Sequence, residues 1–146
     1  GPMKITIRHL MAINAATDAA LRGRDEIIRR NDETSVASVP FKLHSDTLFD
    51  LATNSSRIGK ELEAYEVTRR KAMKDAQVEG KPPAKGSAEE ASLVEAINAM
   101  LDREVDIKLI RFKLTDFKLD DNPGLAPAIA PMMRIINASD RKREEI

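Results

Sequence analysis

Leu48, Leu51, Ser55, Ile58, Leu62 and Tyr65 follow one another at intervals of three and four residues without a break. That spacing puts all six on one stripe of a helix, as in a coiled-coil seam, and a stripe of this length must pack against something. The pattern predicts a long helix from about Asp46 to Gln77. Ser45 is the expected N-cap, Asp46 stands near the positive end of the helix dipole, and Glu66 and Arg70 are four apart in the favourable order. Gly80-Lys81-Pro82-Pro83 ends it, since proline cannot continue a helix.

The flanking segments are read against this helix. Ile7 to Leu21 carries Leu10, Ile13, Thr17, Ala20 and Leu21 near one face and predicts a first helix stopped by Gly23. Ile5 and Ile7 alternate with polar neighbours, so Lys4 to Ile7 could instead be a short strand. Arg24 to Ser38 reads as a loop or short hairpin ending at Val39-Pro40. After a flexible polar connection from Gly80 to Gly86, Ser87 and Glu90 match a capping box. Leu93, Val94, Ile97, Met100 and Leu101 then predict a helix from Ala88 to about Arg103, folded back on the long one as an antiparallel hairpin.

Val105, Ile107 and Leu109 alternate with Asp106 and Lys108 as a strand does. The alternation slips at Ile110, Phe112 and Leu114, which a bulge near Leu109-Ile110 or burial of both faces would explain. Its partner is expected to be Lys4 to Ile7 or the segment around Ile27. Asp120-Asp121-Asn122-Pro123-Gly124 is a turn, and Leu125 to Ile136 a last helix in which Pro127 is tolerable but Pro131 awkward. Arg141 to Glu145 is a charged, frayed tail. The expected fold is mainly α, within the α+β class: an antiparallel helical hairpin with a long central helix, a small β element and a short C-terminal helix. One domain over residues 3–146 accommodates it, with Gly1-Pro2 read as the remnant of a cleaved tag.

Composition narrows the function classes. No long apolar stretch suggests a membrane span or secretory signal, and cysteine is absent, which removes disulfides and thiolate chemistry. The expected compartment is the cytoplasm. There are 24 basic and 24 acidic side chains, one Tyr, four Phe and no Trp; balanced charge and scarce aromatics disfavour a nucleic-acid binder. His9 and His44 have no metal-ligand spacing, and no phosphate loop or nucleophile elbow is present. Glu61 with Glu63, and Glu89 with Glu90, read as solvated helix surface. The expectation is a protein that is not an enzyme, with no catalytic or metal residues and no cofactor.

Two features suit binding. Arg57, Lys60, Arg69 and Arg70 lie on the long helix, and Arg57 and Lys60, three apart, could clamp a phosphate or carboxylate. Lys42, beside Phe41 and His44, precedes a helix N-terminus whose backbone donors favour an anion. The candidate ligand-binding residues are Lys42, Arg57, Lys60 and Arg69. The competing reading is a solubilising surface paired with nearby Glu, and a simply capped helix.

Val39-Pro40-Phe41-Lys42, Leu51-Ala52 and the run Ile58-Gly59-Lys60-Glu61-Leu62-Glu63-Ala64-Tyr65-Glu66-Val67-Thr68-Arg69 resemble a family of small, largely uncharacterised phage and prophage proteins. In that family a Leu/Val-Pro-x-Lys segment leads into a long helix ending Glu-Leu-x-x-Tyr/Phe-Glu-x-x-Arg. The similarity extends over the start at Met3 to Ile7, the later strand, the Leu114 to Phe117 step and the Pro-containing last helix. Thr47-Leu48-Phe49-Asp50 departs from the family's aromatic-Lys-Leu pattern. The resemblance implies a phage origin and, with it, the cytoplasm of an infected or lysogenic host. From that origin two functions compete. One is an anti-defence protein that sequesters a nucleotide-derived second messenger, a small anionic ligand held between protomers of a homo-oligomer. The other is a virion or tail assembly chaperone or adaptor working through protein contacts.

Overall fold

The computed structural model describes residues 1–137; the charged tail from Arg141 to Glu145 lies outside them. The chain is of the α+β class. Strand β1 (Met3–Thr6) runs directly into helix α1 (Ile7–Arg22), so the segment read as either strand or helix start is both in succession. Thr6 makes the switch: its extended backbone ends the strand while its hydroxyl accepts from the His9 N–H at 3.1 Å as an N-cap. At the other end Gly23, with φ 98°, turns the chain where a Cβ would collide with the Val39 carbonyl.

Of the two readings of Arg24 to Val39, loop or short hairpin, the hairpin is the one that forms. β2 (Arg24–Arg30) and β3 (Glu33–Val39) form a regular antiparallel hairpin. Asn31 and Asp32 both have positive φ, as a two-residue type I′ turn requires. The sequence signal was weak because neither strand has a buried face, so no alternation of apolar and polar residues was selected.

α2 (Ser45–Asp75) is the expected long helix, about 46 Å from end to end. His44, not Ser45, caps it: its Nδ1 accepts from the Asp46 N–H at 3.2 Å. The buried stripe is also rotated from the expected one. Thr47, Leu51, Asn54 and Ile58 are inside, while Leu48 is exposed and Leu62 only partly covered. Two of these four are polar, so hydrophobicity alone mistook the face. Every fully buried residue lies in the first half; beyond Leu62, which packs partly buried against the core, the helix leaves it.

α3 (Ala88–Leu101) starts as expected, with the Ser87 hydroxyl accepting from the Glu90 N–H, but Glu90 reaches back to Gly86 N–H rather than to Ser87. No α3 side chain is fully buried. Its first residues share a cleft with Ala72 and Ala76 near the end of α2, and Met100 shares another with Tyr65 and Thr68 further back. The connection carries its own tight turn, in which Val78 and Lys81 exchange both backbone hydrogen bonds around Glu79 and Gly80, each with positive φ.

β4 (Glu104–Ile107) pairs antiparallel with β1, Ile5 opposite Val105. The slip in alternation is a break rather than a bulge. The chain leaves β4, and Asn54 takes over the backbone pairing: Ile110 N–H donates to its Oδ1 at 2.8 Å and its Nδ2 donates to the Ile110 carbonyl at 2.9 Å. β5 (Phe112–Lys113) then pairs parallel with β6 (Ile136–Asn137). The last helix splits into α4 (Leu125–Ile129) and a 3-10 segment (Ala130–Ile135), because Pro131 has no N–H for the α-helical bond. The core forms around α1: Leu10 and Ile13 meet Leu51 and Ile58 of α2, Phe112, Phe117, and Leu125, Ile129, Met132 and Ile135 of the C-terminal segment.

Asn54→Ala strands two part-buried backbone groups of Ile110 and should lower the unfolding free energy by about 1–3 kcal/mol. Urea denaturation reads this directly, and a loss below about half a kcal/mol would mean that water replaces the pairing without penalty.

Candidate functional site

Cations gather where α2 has left the core. Arg69, Arg70 and Lys74, spaced so that Arg70 and Lys74 share a face, stand at one side of a cleft of about 510 Å³. Met73, Leu93 of α3 and Pro82-Pro83 of the connection provide an apolar wall. The volume falls in the range of small-molecule sites, and few polar groups beside apolar surface is their usual composition.

Glu66 organises the cations. Arg69 Nε donates to both Glu66 carboxylate oxygens at 3.2 and 3.1 Å, its Nη2 joins the same pair, and Arg70 Nε lies 3.7 Å from Oε1. The hydrogen bond from Arg69 holds the Glu66 carboxyl below its ordinary range, and the charges of Arg69 and Arg70 add to this. Glu66 in turn raises the Arg69 guanidinium. Three cations against one carboxylate leave the cleft with two net positive charges. One turn on, Lys71 pairs with Asp75 at 2.8 Å, away from the cleft lining.

Of the four candidate ligand-binding residues only Arg69 lines this cleft, joined there by Arg70 of the wider basic set. Arg57 is half-buried and donates from Nη1 to the Lys108 carbonyl at 3.0 Å, fastening the segment after β4 to α2. Lys60, the next residue on that face, is exposed. Lys42 is held by its backbone: its N–H donates to Asn122 Oδ1 at 2.7 Å and its carbonyl accepts from Asn122 Nδ2 at 3.2 Å, with the side chain exposed. The four residues therefore do not converge within one chain. Sequence reading missed Lys74, Met73, Leu93 and the two prolines. The Arg70/Lys74 spacing was visible, but the return of Pro82-Pro83 and α3 to the same place was not.

Three other concavities fit a nucleotide, which needs both charge and apolar surface, less well. The one between Ala72 and Ala96 carries Asp75 and Glu89 and no cation. That beside Tyr65 and Met100 holds only about 160 Å³, too little for a nucleotide. Lys4, Arg111 and Arg134 gather beside Gly1-Pro2, where Arg134 donates to the Lys4 carbonyl at 2.8 Å, and the apolar surface there is only that of Pro2 and Met3. Among the described residues no group of three or more His, Asp or Glu side chains could hold a metal ion, and no helix is long and apolar enough to cross a membrane.

No family model, curated protein or solved structure matches this chain.

The Glu66 carboxyl should titrate below an ordinary glutamate, and its midpoint should return upward in Arg69→Ala. Carbon-detected NMR titration measures both. Because the folded value is depressed, the pair's contribution is complete above the ordinary carboxylate range and fades as the pH falls through the lower folded value.

Proposed function

We propose that the protein is a non-enzymatic binder that captures a small anionic, nucleotide-derived ligand in the cleft between the end of α2, the Pro82-Pro83 connection and α3. On the phage origin implied by the resemblance, that ligand is a second messenger of bacterial immunity and the activity is sequestration in the host cytoplasm. The observation that carries the reading is the pairing of excess positive charge with an apolar wall in one cleft. Phosphates suit the Arg70 and Lys74 side, where guanidinium and ammonium donors form charge-assisted hydrogen bonds. A flat base or ribose suits Pro82, Pro83 and Leu93. The reading takes α2 and α3 as the two antiparallel arms of a helical hairpin, so that the connection between them closes one end of the cleft. Lys42, Arg57 and Lys60 fall outside it.

A second reading, an assembly adaptor, draws support from apolar side chains facing solvent. Phe49 is 72% exposed, and Val67, Val78 and Val94 are each more than half exposed, apolar surface that a protein partner would cover.

Protein purified from cells making immune nucleotide signals, then denatured, should release a stoichiometric cyclic nucleotide or ADP-ribose derivative by mass spectrometry. With that compound as titrant, Arg70→Ala with Lys74→Ala should weaken binding roughly a hundredfold, as the loss of two charge-assisted contacts implies. Glu66→Gln should strengthen it by raising the net charge. Arg57→Ala with Lys60→Ala should leave it unchanged. An empty protein that ignores added messengers, yet captures a virion protein, would favour the adaptor.

A further inference from the structure

The β2–β3 hairpin stands apart from the body. Its contacts are almost entirely between its own two strands, and it buries no residue. Ile27 and Val36 sit opposite each other on one face, 64% and 66% exposed. A lone two-stranded ribbon is marginal in water; three or more strands, or a helix packed on one face, are needed for independent stability. Among the described residues both outer edges also present backbone groups with no ladder partner, which proteins ordinarily blunt with charged side chains or with proline.

The β2 edge is charged, but not to repel. It reads Asp25-Glu26-Ile27-Ile28-Arg29-Arg30: two acids, two isoleucines, two arginines. Laid antiparallel against itself, this strand sets its acidic half against the basic half of the copy. β3 has Glu33 as its only charge and carries no such instruction.

We infer that the β2 edge is a self-recognition surface, and that its occupant is β2 of a second copy of this chain. The two hairpins then form one four-stranded antiparallel sheet in the order β3–β2–β2–β3. A twofold axis between antiparallel edge strands stands perpendicular to the sheet, so one residue must face its own copy. With Ile27 at the axis, Asp25 meets the partner's Arg29, but Arg24 meets the partner's Arg30, like against like. With Ile28 at the axis, Glu26 meets Arg30 of the partner subunit, twice by symmetry, Arg24 lies beyond the end of the partner's strand, beside its turn, and no like charges are opposed. The Ile28-centred register is therefore the one selected, since opposite charges directly across strands stabilise a sheet and like charges destabilise it. In it Ile27 lies against the methylene stem of the partner's Arg29, which covers apolar surface while leaving its charge in water.

Charge complementation tests the pairing in the full chain. Wild type should be a dimer by sedimentation and native mass spectrometry at micromolar concentration. Glu26→Arg opposes two arginines across the axis. Arg30→Glu opposes two glutamates; combined with Glu33→Arg it keeps the cross-strand pair that Arg30 makes with residue 33 within the hairpin. Each variant alone should associate roughly tenfold more weakly or worse, with its helical circular dichroism unchanged. Mixed, the two should form a one-to-one heterodimer as tight as wild type. A monomeric wild type, variants that dimerise as well as wild type, or folded variants that fail to rescue each other would each overturn the pairing.

Discussion

β1 enters α1 without a loop, and the position of everything else follows from that junction. Thr6 belongs to both elements, its backbone paired with Glu104 and its hydroxyl capping α1. The Ile7 N–H, which the helix cannot satisfy, donates to the Arg103 carbonyl at 3.1 Å. The start of α1 is thereby tied to the end of α3 and to β4. With that end fixed, α1 presents Leu10, Ile13, Ala16 and Ala20 as the surface on which α2 and the C-terminal segment close.

The polar residues inside this core are structural. Asn54 supplies the donor and acceptor that a neighbouring strand would have given Ile110, so the chain can leave β4 and still bury Leu109 and Phe112. Asn122 does similar work at the other side, bonding the Lys42 backbone and the Phe117 and Lys118 carbonyls together. A buried amide pays for its desolvation only when its bonds are made. Each therefore fixes a single chain path where hydrophobic contact would tolerate several.

Both proposed binding surfaces lie outside the core. The second half of α2 with α3 buries nothing fully, yet it carries three cations beside apolar side chains. The hairpin buries nothing either, yet its β2 strand is ordered in charge. Both elements have surface available for partners because the core does not use it.

The sequence by itself determined the helices α1, α2 and α3, offered Lys4 to Ile7 as a strand and as one of two candidate partners for β4, and marked Pro131 as awkward in the last helix. These rest on local periodicity, caps and missing donors, which act within a few residues. Local pattern was misleading where burial and apolarity part company: Thr47 and Asn54 are inside while Leu48 is outside, and β2 and β3 are strands without a buried face. The tertiary structure alone decided that Arg69 and Lys74 share a cleft with Pro82 and Leu93, and that Arg57 instead fastens the Lys108 carbonyl. Which cations meet depends on how helices and connections return through space, and a one-dimensional spacing rule ends where the helix does.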